Sequence, residues 1–131
     1  MKNKKPKILH VDDEGLEGIF GLIKRILSYS EIIQFSKIED ALAILEKEDF
    51  DAYISDGLEG GWERVYGAVR SKELIQGKDY FEYKPFIVHT SNLSVVDKVK
   101  KDRAYDSKLG LVIKPNCFEI KNYLAELNNK K

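Results

Sequence analysis

Short apolar runs alternate along the chain with longer stretches in which apolar residues recur every three or four positions. The runs have the length and the β-branched content of strands, and they span Lys7–Val11, Ile32–Phe35, Ala52–Ser55, Pro85–Thr90 and Leu109–Ile113. Each run precedes a stretch with one apolar helical face, and these faces begin at Leu16, Ile38, Trp62, Val95 and Cys117. Strands that alternate with helices predict an α/β domain, whose doubly wound five-stranded parallel sheet carries five helices on its two faces.

Composition narrows the class of protein without changing this fold. The chain of 131 residues predicts one domain, spanning residues 1–131, and its 43% hydrophobic and 34% charged residues are typical of a soluble globular protein. The 22 basic residues balance the 22 acidic ones, which argues against direct binding of nucleic acid. No apolar run approaches the roughly 18 residues of a membrane span, so we expect no membrane insertion. With one cysteine, an internal disulfide is excluded and a cytoplasmic location is expected.

Polar residues stand at the carboxyl ends of four predicted strands. Asp12 and Asp13 follow the first strand, Asp56 follows the third, Thr90 ends the fourth and Lys114 follows the fifth. In doubly wound sheets these strand ends meet at one edge, where ligands bind. The topology therefore predicts that three carboxylates, one hydroxyl and one ammonium converge.

This set of groups matches phosphoryl chemistry. Clustered carboxylates provide the oxygen ligands that Mg²⁺ prefers. A carboxylate beside the metal can attack a phosphoryl group and form an acyl phosphate, while a lysine and a hydroxyl hold the other phosphoryl oxygens. Each residue also has a simpler interpretation. Asp12 and Asp13 could cap a helix, Thr90 could be an ordinary strand residue and Lys114 a solvated surface lysine.

Four segments carry a family resemblance over essentially the whole chain. They are Ile8–Glu14, Ala52–Asp56, Ile87–Ser91 and Val112–Pro115, in this order and each at a strand end. Together they resemble the receiver domain of two-component response regulators, which implies the flavodoxin-like receiver fold. The resemblance implies that Asp56 is the phosphoacceptor. It also implies a cis peptide before Pro115, phosphoryl contacts from Thr90 and Lys114, and Mg²⁺ ligands from Asp12, Asp13, Asp56 and the carbonyl of Leu58.

The function that this resemblance implies is a stand-alone receiver without an output domain. It would accept a phosphoryl group from a sensor histidine kinase or a histidine phosphotransfer protein and signal to a downstream protein target. It would not be an enzyme in the usual sense. Its own activity would be Mg²⁺-dependent self-phosphorylation from a phosphodonor and slow autodephosphorylation.

Several positions depart from the family pattern. The loop from Gly57 to Trp62 contains three glycines and lacks the usual proline, which indicates mobility there. Leu111 occupies the place of the family's switch aromatic, and the segment Ser71–Lys84 is longer than usual. These departures favour an alternative, a degenerate receiver that serves as a non-switching interaction module.

A third class of function is a small-molecule enzyme of the same topology. A flavin carrier would need a phosphate-binding loop after the first strand, where this chain is acidic. An aspartate-nucleophile phosphatase would need an acid two residues after Asp56, where Leu58 stands. His10 and His89 are interpreted as strand residues and Cys117 as a small apolar residue, because none of them shows metal-ligand spacing.

Overall fold

The computed structural model describes residues 5–12, 23–25, 27–57, 61–114, 116 and 118–124. Its strands form one parallel sheet in the order β2-β1-β3-β4-β5. They are β1 Lys7–Val11, β2 Glu31–Phe35, β3 Ala52–Ser55, β4 Phe86–Thr90 and β5 Leu109–Ile113. The predicted sheet is thus confirmed, with β2 starting one residue earlier and β4 one residue later than predicted. At β4 the reason is that Pro85 has no N–H for the neighbouring strand.

Helices follow the strands as predicted. They are α1 Ile38–Lys47, α2 Trp62–Ile75, α3 Leu93–Asp102 and α4 Phe118–Tyr123, and a short 3₁₀ turn covers Tyr80–Glu82. Of the helix predicted after β1, residues 23–25 are helical and the Leu27 N–H donates to the Ile23 carbonyl at 2.9 Å. The rest of that predicted helix, including Leu16, lies outside the described residues. None of the helices in the described ranges is long and apolar enough to cross a membrane.

Apolar side chains cover both faces of the sheet, because successive residues of a strand point to opposite sides. One face packs against α1, α2 and α3, and its fully buried Trp62 belongs to the set of largest core side chains. The other face packs against residues 23–27 and α4 through Ile23, Leu27, Ile120 and Leu124. Each such side chain contributes about 1.5–3 kcal/mol through burial.

The sheet also places the first loop residues at its carboxyl edge. Asp12 N–H donates to the Phe35 carbonyl at 3.1 Å, and Asp56 N–H donates to the Val11 carbonyl at 2.8 Å. Lys114 N–H donates to the Thr90 carbonyl at 3.0 Å. The backbone ladder therefore continues one residue beyond each of these strands. These hydrogen bonds therefore hold the backbone of Asp12, Asp56 and Lys114 at fixed positions.

Candidate functional site

A lysine bridges two aspartates at the carboxyl edge of the sheet. Lys114 Nζ lies 3.0 Å from Asp12 Oδ2 and 3.0 Å from Asp56 Oδ1. The lysine side chain is only 11% exposed and Asp12 is 1% exposed. The interpretation of Lys114 as a solvated surface lysine is therefore wrong. The strand order places Lys114 at the carboxyl edge of the sheet, where the two carboxylates bind its ammonium.

The two neighbouring aspartates determine the protonation state of Lys114. Burial alone would lower the pKa of Lys114, but hydrogen bonds and charge attraction from Asp56 and Asp12 outweigh burial and raise that pKa above its usual value. The ammonium is therefore charged across the physiological range. The formal charges of one lysine and two aspartates sum to −1, which favours a further cation beside them.

The two aspartates fit a hard divalent cation by the chemistry of their oxygens. The described part of the chain has no cluster of three or more histidine, cysteine, aspartate or glutamate side chains that could bind a metal. Two of the predicted ligands, Asp13 and the Leu58 carbonyl, lie outside the described residues, as does the peptide before Pro115. What the structure brings together is Asp12, Asp56 and Lys114.

Thr90 ends β4 beside the residue that follows Asp56. Its side chain is buried, and its Oγ1 accepts a hydrogen bond from Asn92 N–H at 3.0 Å. Since Oγ1 accepts this bond, the hydroxyl proton can be donated to another group. A Cβ added to Gly57 would lie 2.8 Å from Oγ1. This close approach was not predicted, because glycine after aspartate is a common turn signal and says nothing about packing.

His10 and His89 lie fully buried in β1 and β4 next to this edge. Burial, helped by the nearby His89 and Lys114 charges, lowers the pKa of His10 to about 3. Burial also lowers the pKa of His89, although its Nε2 lies 2.8 Å from the Asn116 carbonyl, a contact that favours the protonated ring. Both rings are neutral near pH 7. Their interpretation as strand residues is confirmed. Cys117 lies outside the described residues.

Leu111 is buried on the face of the sheet that packs against α1, α2 and α3. Its backbone has an aromatic partner from α4: Tyr123 Oη lies 3.3 Å from Leu111 N and 3.4 Å from Leu111 O, accepting from the first or donating to the second. A Cβ on Gly110 would lie 2.6 Å from the Tyr123 ring. The glycine thus makes room for a ring that covers the outer edge of β5, a contact not predicted from the sequence.

A second charged cluster lies at the opposite, amino edge of the sheet and was not predicted. Arg70 Nη1 donates to Glu73 Oε1 at 2.8 Å, and its Nε donates to Asp106 Oδ2 at 2.8 Å. A cleft of about 420 Å³ lies beside it, and its walls are Tyr66, Arg70, Tyr83, Asp102, Tyr105 and Asp106. The one local signal was the three-residue spacing of Arg70 and Glu73 on a helix, which is common on solvated faces.

Comparison with known proteins identifies the fold. A response regulator from Thermotoga maritima has TM-score 0.65 at 17% identity, with 93% of this chain and 99% of that chain covered. The chemotaxis response regulator CheY4 of Vibrio cholerae has TM-score 0.62 at 21% identity, covering 96% and 98%. An adenylate cyclase from Rhodopirellula baltica has TM-score 0.60 at 21% identity, covering 98% and 100%. No family model and no curated protein matches the sequence.

Several structural neighbours are receiver domains or response regulators, and this chain shares their fold. The flavodoxin-like receiver fold that the sequence resemblance implied is therefore confirmed. At these identities the likeness concerns the fold alone.

Proposed function

We propose that this chain is a phosphorylation-dependent receiver, with Asp56 as the residue that accepts the phosphoryl group. The observation that carries the proposal is the bridge from Lys114 to Asp12 and Asp56 at the carboxyl edge of a receiver fold. An anionic nucleophile, a second carboxylate and a cation are assembled there from three separate strands. The phosphodonor is a phosphohistidine of a sensor kinase or of a phosphotransfer protein.

In the transfer step, a carboxylate oxygen of Asp56 attacks the phosphorus atom. A P–O bond forms while the P–N bond to the donor histidine breaks, and the electron pair stays on the imidazole nitrogen. The imidazole then takes up a proton from solvent. Lys114 is already 3.0 Å from Asp56 Oδ1, so its ammonium can move to a phosphoryl oxygen as the acyl phosphate forms. The Thr90 hydroxyl donates to another phosphoryl oxygen.

A magnesium ion is part of this proposal. The residues that would hold it are Asp12, Asp13, Asp56 and the Leu58 carbonyl, and when bound it would neutralise charge on the phosphoryl oxygens. Asp12 is held for this task by its backbone bond to Phe35 and by its ion pair with Lys114.

The consequence of phosphorylation is a change in protein binding. The acyl phosphate adds negative charge at the edge where Lys114 and Thr90 lie, and it shifts the domain only by its differential contacts in two states. We propose that a downstream protein recognises this change, without direct nucleic-acid contact, and that slow hydrolysis at Asp56 ends the signal.

Intact mass spectrometry after incubation with acetyl phosphate and Mg²⁺ tests the proposal. The wild-type chain should gain the mass of one phosphoryl group, and the gain should vanish in Asp56→Asn and in the presence of a chelator. Asp97→Asn is the matched control, since it makes the same change at an exposed carboxylate of α3. A folded wild-type chain that never gains this mass would contradict the proposal and favour the non-switching interaction module.

A further inference from the structure

Gly57, the residue after the proposed acceptor, is buried and tightly enclosed. A Cβ at this position would lie 2.8 Å from Thr90 Oγ1, and 3.1 and 3.3 Å from the two methyl groups of Val95. The φ angle of Gly57 lies outside the left-handed region that favours glycine. A larger residue could adopt this backbone, so what excludes a side chain here is space. Glycine is required because Thr90 and Val95 already fill the volume.

The two residues against Gly57 are themselves fixed. Thr90 Oγ1 accepts from Asn92 N–H at 3.0 Å, and Asn92 Oδ1 caps α3 by accepting from Ser94 N–H at 3.0 Å and Val95 N–H at 3.3 Å. Val95 is buried in the core below, so its methyl groups cannot retreat freely. The Thr90 hydroxyl therefore lies between the start of α3 and the backbone of Gly57.

We propose that Gly57 is a positioning residue that keeps the Thr90 hydroxyl in place for a phosphoryl group on Asp56. This inference rests on the proposed function, because the hydroxyl matters only if a phosphoryl group forms at Asp56. Any side chain at position 57 would press on Oγ1 closer than real Cβ contacts allow. Rotation of the Thr90 side chain about χ1 is the least costly way to remove this steric clash. This rotation breaks the hydrogen bond to Asn92 and turns the hydroxyl away from its position beside Gly57.

A double-variant cycle separates this role from a general effect on folding. The variants are Gly57→Ala, Thr90→Ala and the two combined, because removing Oγ1 leaves room for the new methyl group. The control is Gly67→Ala in α2, where an added Cβ would meet nothing within 4 Å. Phosphorylation rate from acetyl phosphate is measured for each, normalised to folded protein.

We expect Gly57→Ala to slow phosphorylation by a similar factor to Thr90→Ala, and the combined variant to be no slower than Thr90→Ala alone. Gly67→Ala should keep the wild-type rate. If the two factors multiply in the combined variant, Gly57 acts independently of Thr90 and the inference fails. It also fails if Gly57→Ala lowers the urea midpoint but phosphorylates at the wild-type rate.

The Asn92 amide provides a readout that needs no phosphorylation. In NMR spectra its proton should move upfield in both Thr90→Ala and Gly57→Ala, because both changes remove the bond to Oγ1. An unchanged Asn92 resonance in Gly57→Ala overturns the inference even if the chain is phosphorylated. An upfield move in a chain that is never phosphorylated supports the packing of Gly57 on Thr90, and the proposed function alone then fails. If Gly57→Ala unfolds, recovery of folding in the combined variant supports the same steric contact, and failure to recover contradicts it.

Discussion

At each edge of the sheet one cation lies between two carboxylates. At the carboxyl edge Lys114 bridges Asp12 and Asp56, and at the amino edge Arg70 pairs with Glu73 and Asp106. The formal charges are the same in both clusters, and all of these side chains are mostly buried. The two clusters differ in the kind of cation that holds the carboxylates.

At the amino edge every carboxylate oxygen has a protein donor. Besides the guanidinium, Glu73 Oε2 accepts from Lys84 N–H at 2.8 Å and Asp106 Oδ1 accepts from Lys108 N–H at 2.9 Å. The Tyr66 hydroxyl also donates to Asp106. The rings of Tyr66 and Tyr83 lie 5.2 and 4.9 Å from the guanidinium carbon. The amino-edge cluster thus comprises Tyr66, Arg70, Glu73, Tyr83 and Asp106.

At the carboxyl edge the cation that Asp12 and Asp56 share is the ammonium of Lys114. Lysine is a point charge on a flexible stem, whereas arginine is a planar fork with fixed directions. Lys114 can therefore leave one oxygen for another with little change in geometry, and Arg70 cannot. Equal charge in two buried clusters therefore does not imply an equal role. The Arg70 cluster stabilises the fold, whereas the Lys114 ammonium is suited to move between oxygen partners.

The largest expected effect is on stability at the amino edge. Arg70→Met leaves Glu73 and Asp106 buried without their cation, and breaking such a pair costs about 3–5 kcal/mol. Urea denaturation of the variant and the wild type measures this loss. Added Mg²⁺ should not restore it, since backbone and tyrosine donors already occupy the carboxylates.

Lys114→Met is the matched change at the carboxyl edge. We expect a smaller loss, about 1–2 kcal/mol, because a cation from solution can take the place of the ammonium between Asp12 and Asp56. Added Mg²⁺ should reduce this loss, while phosphorylation from acetyl phosphate should fall about tenfold or more. Equal losses in the two variants, both insensitive to Mg²⁺, would contradict the comparison.

Lowering the pH should reduce the stability of the two edges in different pH ranges. The pKa of His89 in the folded state is lowered below 6.5, so the unfolded chain binds this proton more readily. Stability is complete above that unfolded pKa and is lost as the pH falls, at up to about 1.4 kcal/mol per pH unit for each buried histidine. The pKa of Asp106 lies below 3.8, because hydrogen bonds from Arg70 and Tyr66 outweigh its burial. The contribution of Asp106 to stability is therefore lost only at a pH below the range in which His89 titrates.

Urea denaturation between about pH 7 and about pH 5 measures this difference. His89→Gln keeps a donor for the Asn116 carbonyl but has no titrating ring, so its stability should fall less steeply with acid than that of the wild type. Asp106→Asn should be less stable throughout yet keep the wild-type slope in this range. A slope that changes in Asp106→Asn and not in His89→Gln would reverse the assignment of the two pH ranges.

The smallest expected effect concerns the edge of β5 beside Lys114. Tyr123→Phe removes the hydroxyl that contacts the backbone of Leu111 and keeps the ring over Gly110. Because these contacts are long, the loss should be about 0.5 kcal/mol. Thermal denaturation measures it against Tyr29→Phe, whose ring is 78% exposed and should have no measurable effect. A loss comparable to that of Lys114→Met would show that α4 is as important to this edge as the ion pair.

Much of the fold and part of the site could be predicted from the order of residues. Apolar runs separated by helical stretches imply a covered parallel sheet, and β1, β3 and β5 have the predicted bounds. Given that topology, Asp12, Asp56 and Lys114 had to reach the same edge, because each directly follows a strand. The structure bears out that convergence through the Lys114 bridge.

What only the tertiary structure decided is which distant groups meet inside the fold. Lys114 was placed beside the acids only through the predicted topology, while Gly57 had the features of a turn and Arg70 those of a solvated helix face. Their partners lie far along the chain: Lys114 is 102 residues from Asp12, and Arg70 is 36 residues from Asp106. A periodic pattern records which side of a helix or strand is buried. It does not record which side chains fill the same volume, because that depends on how separate elements pack against one another.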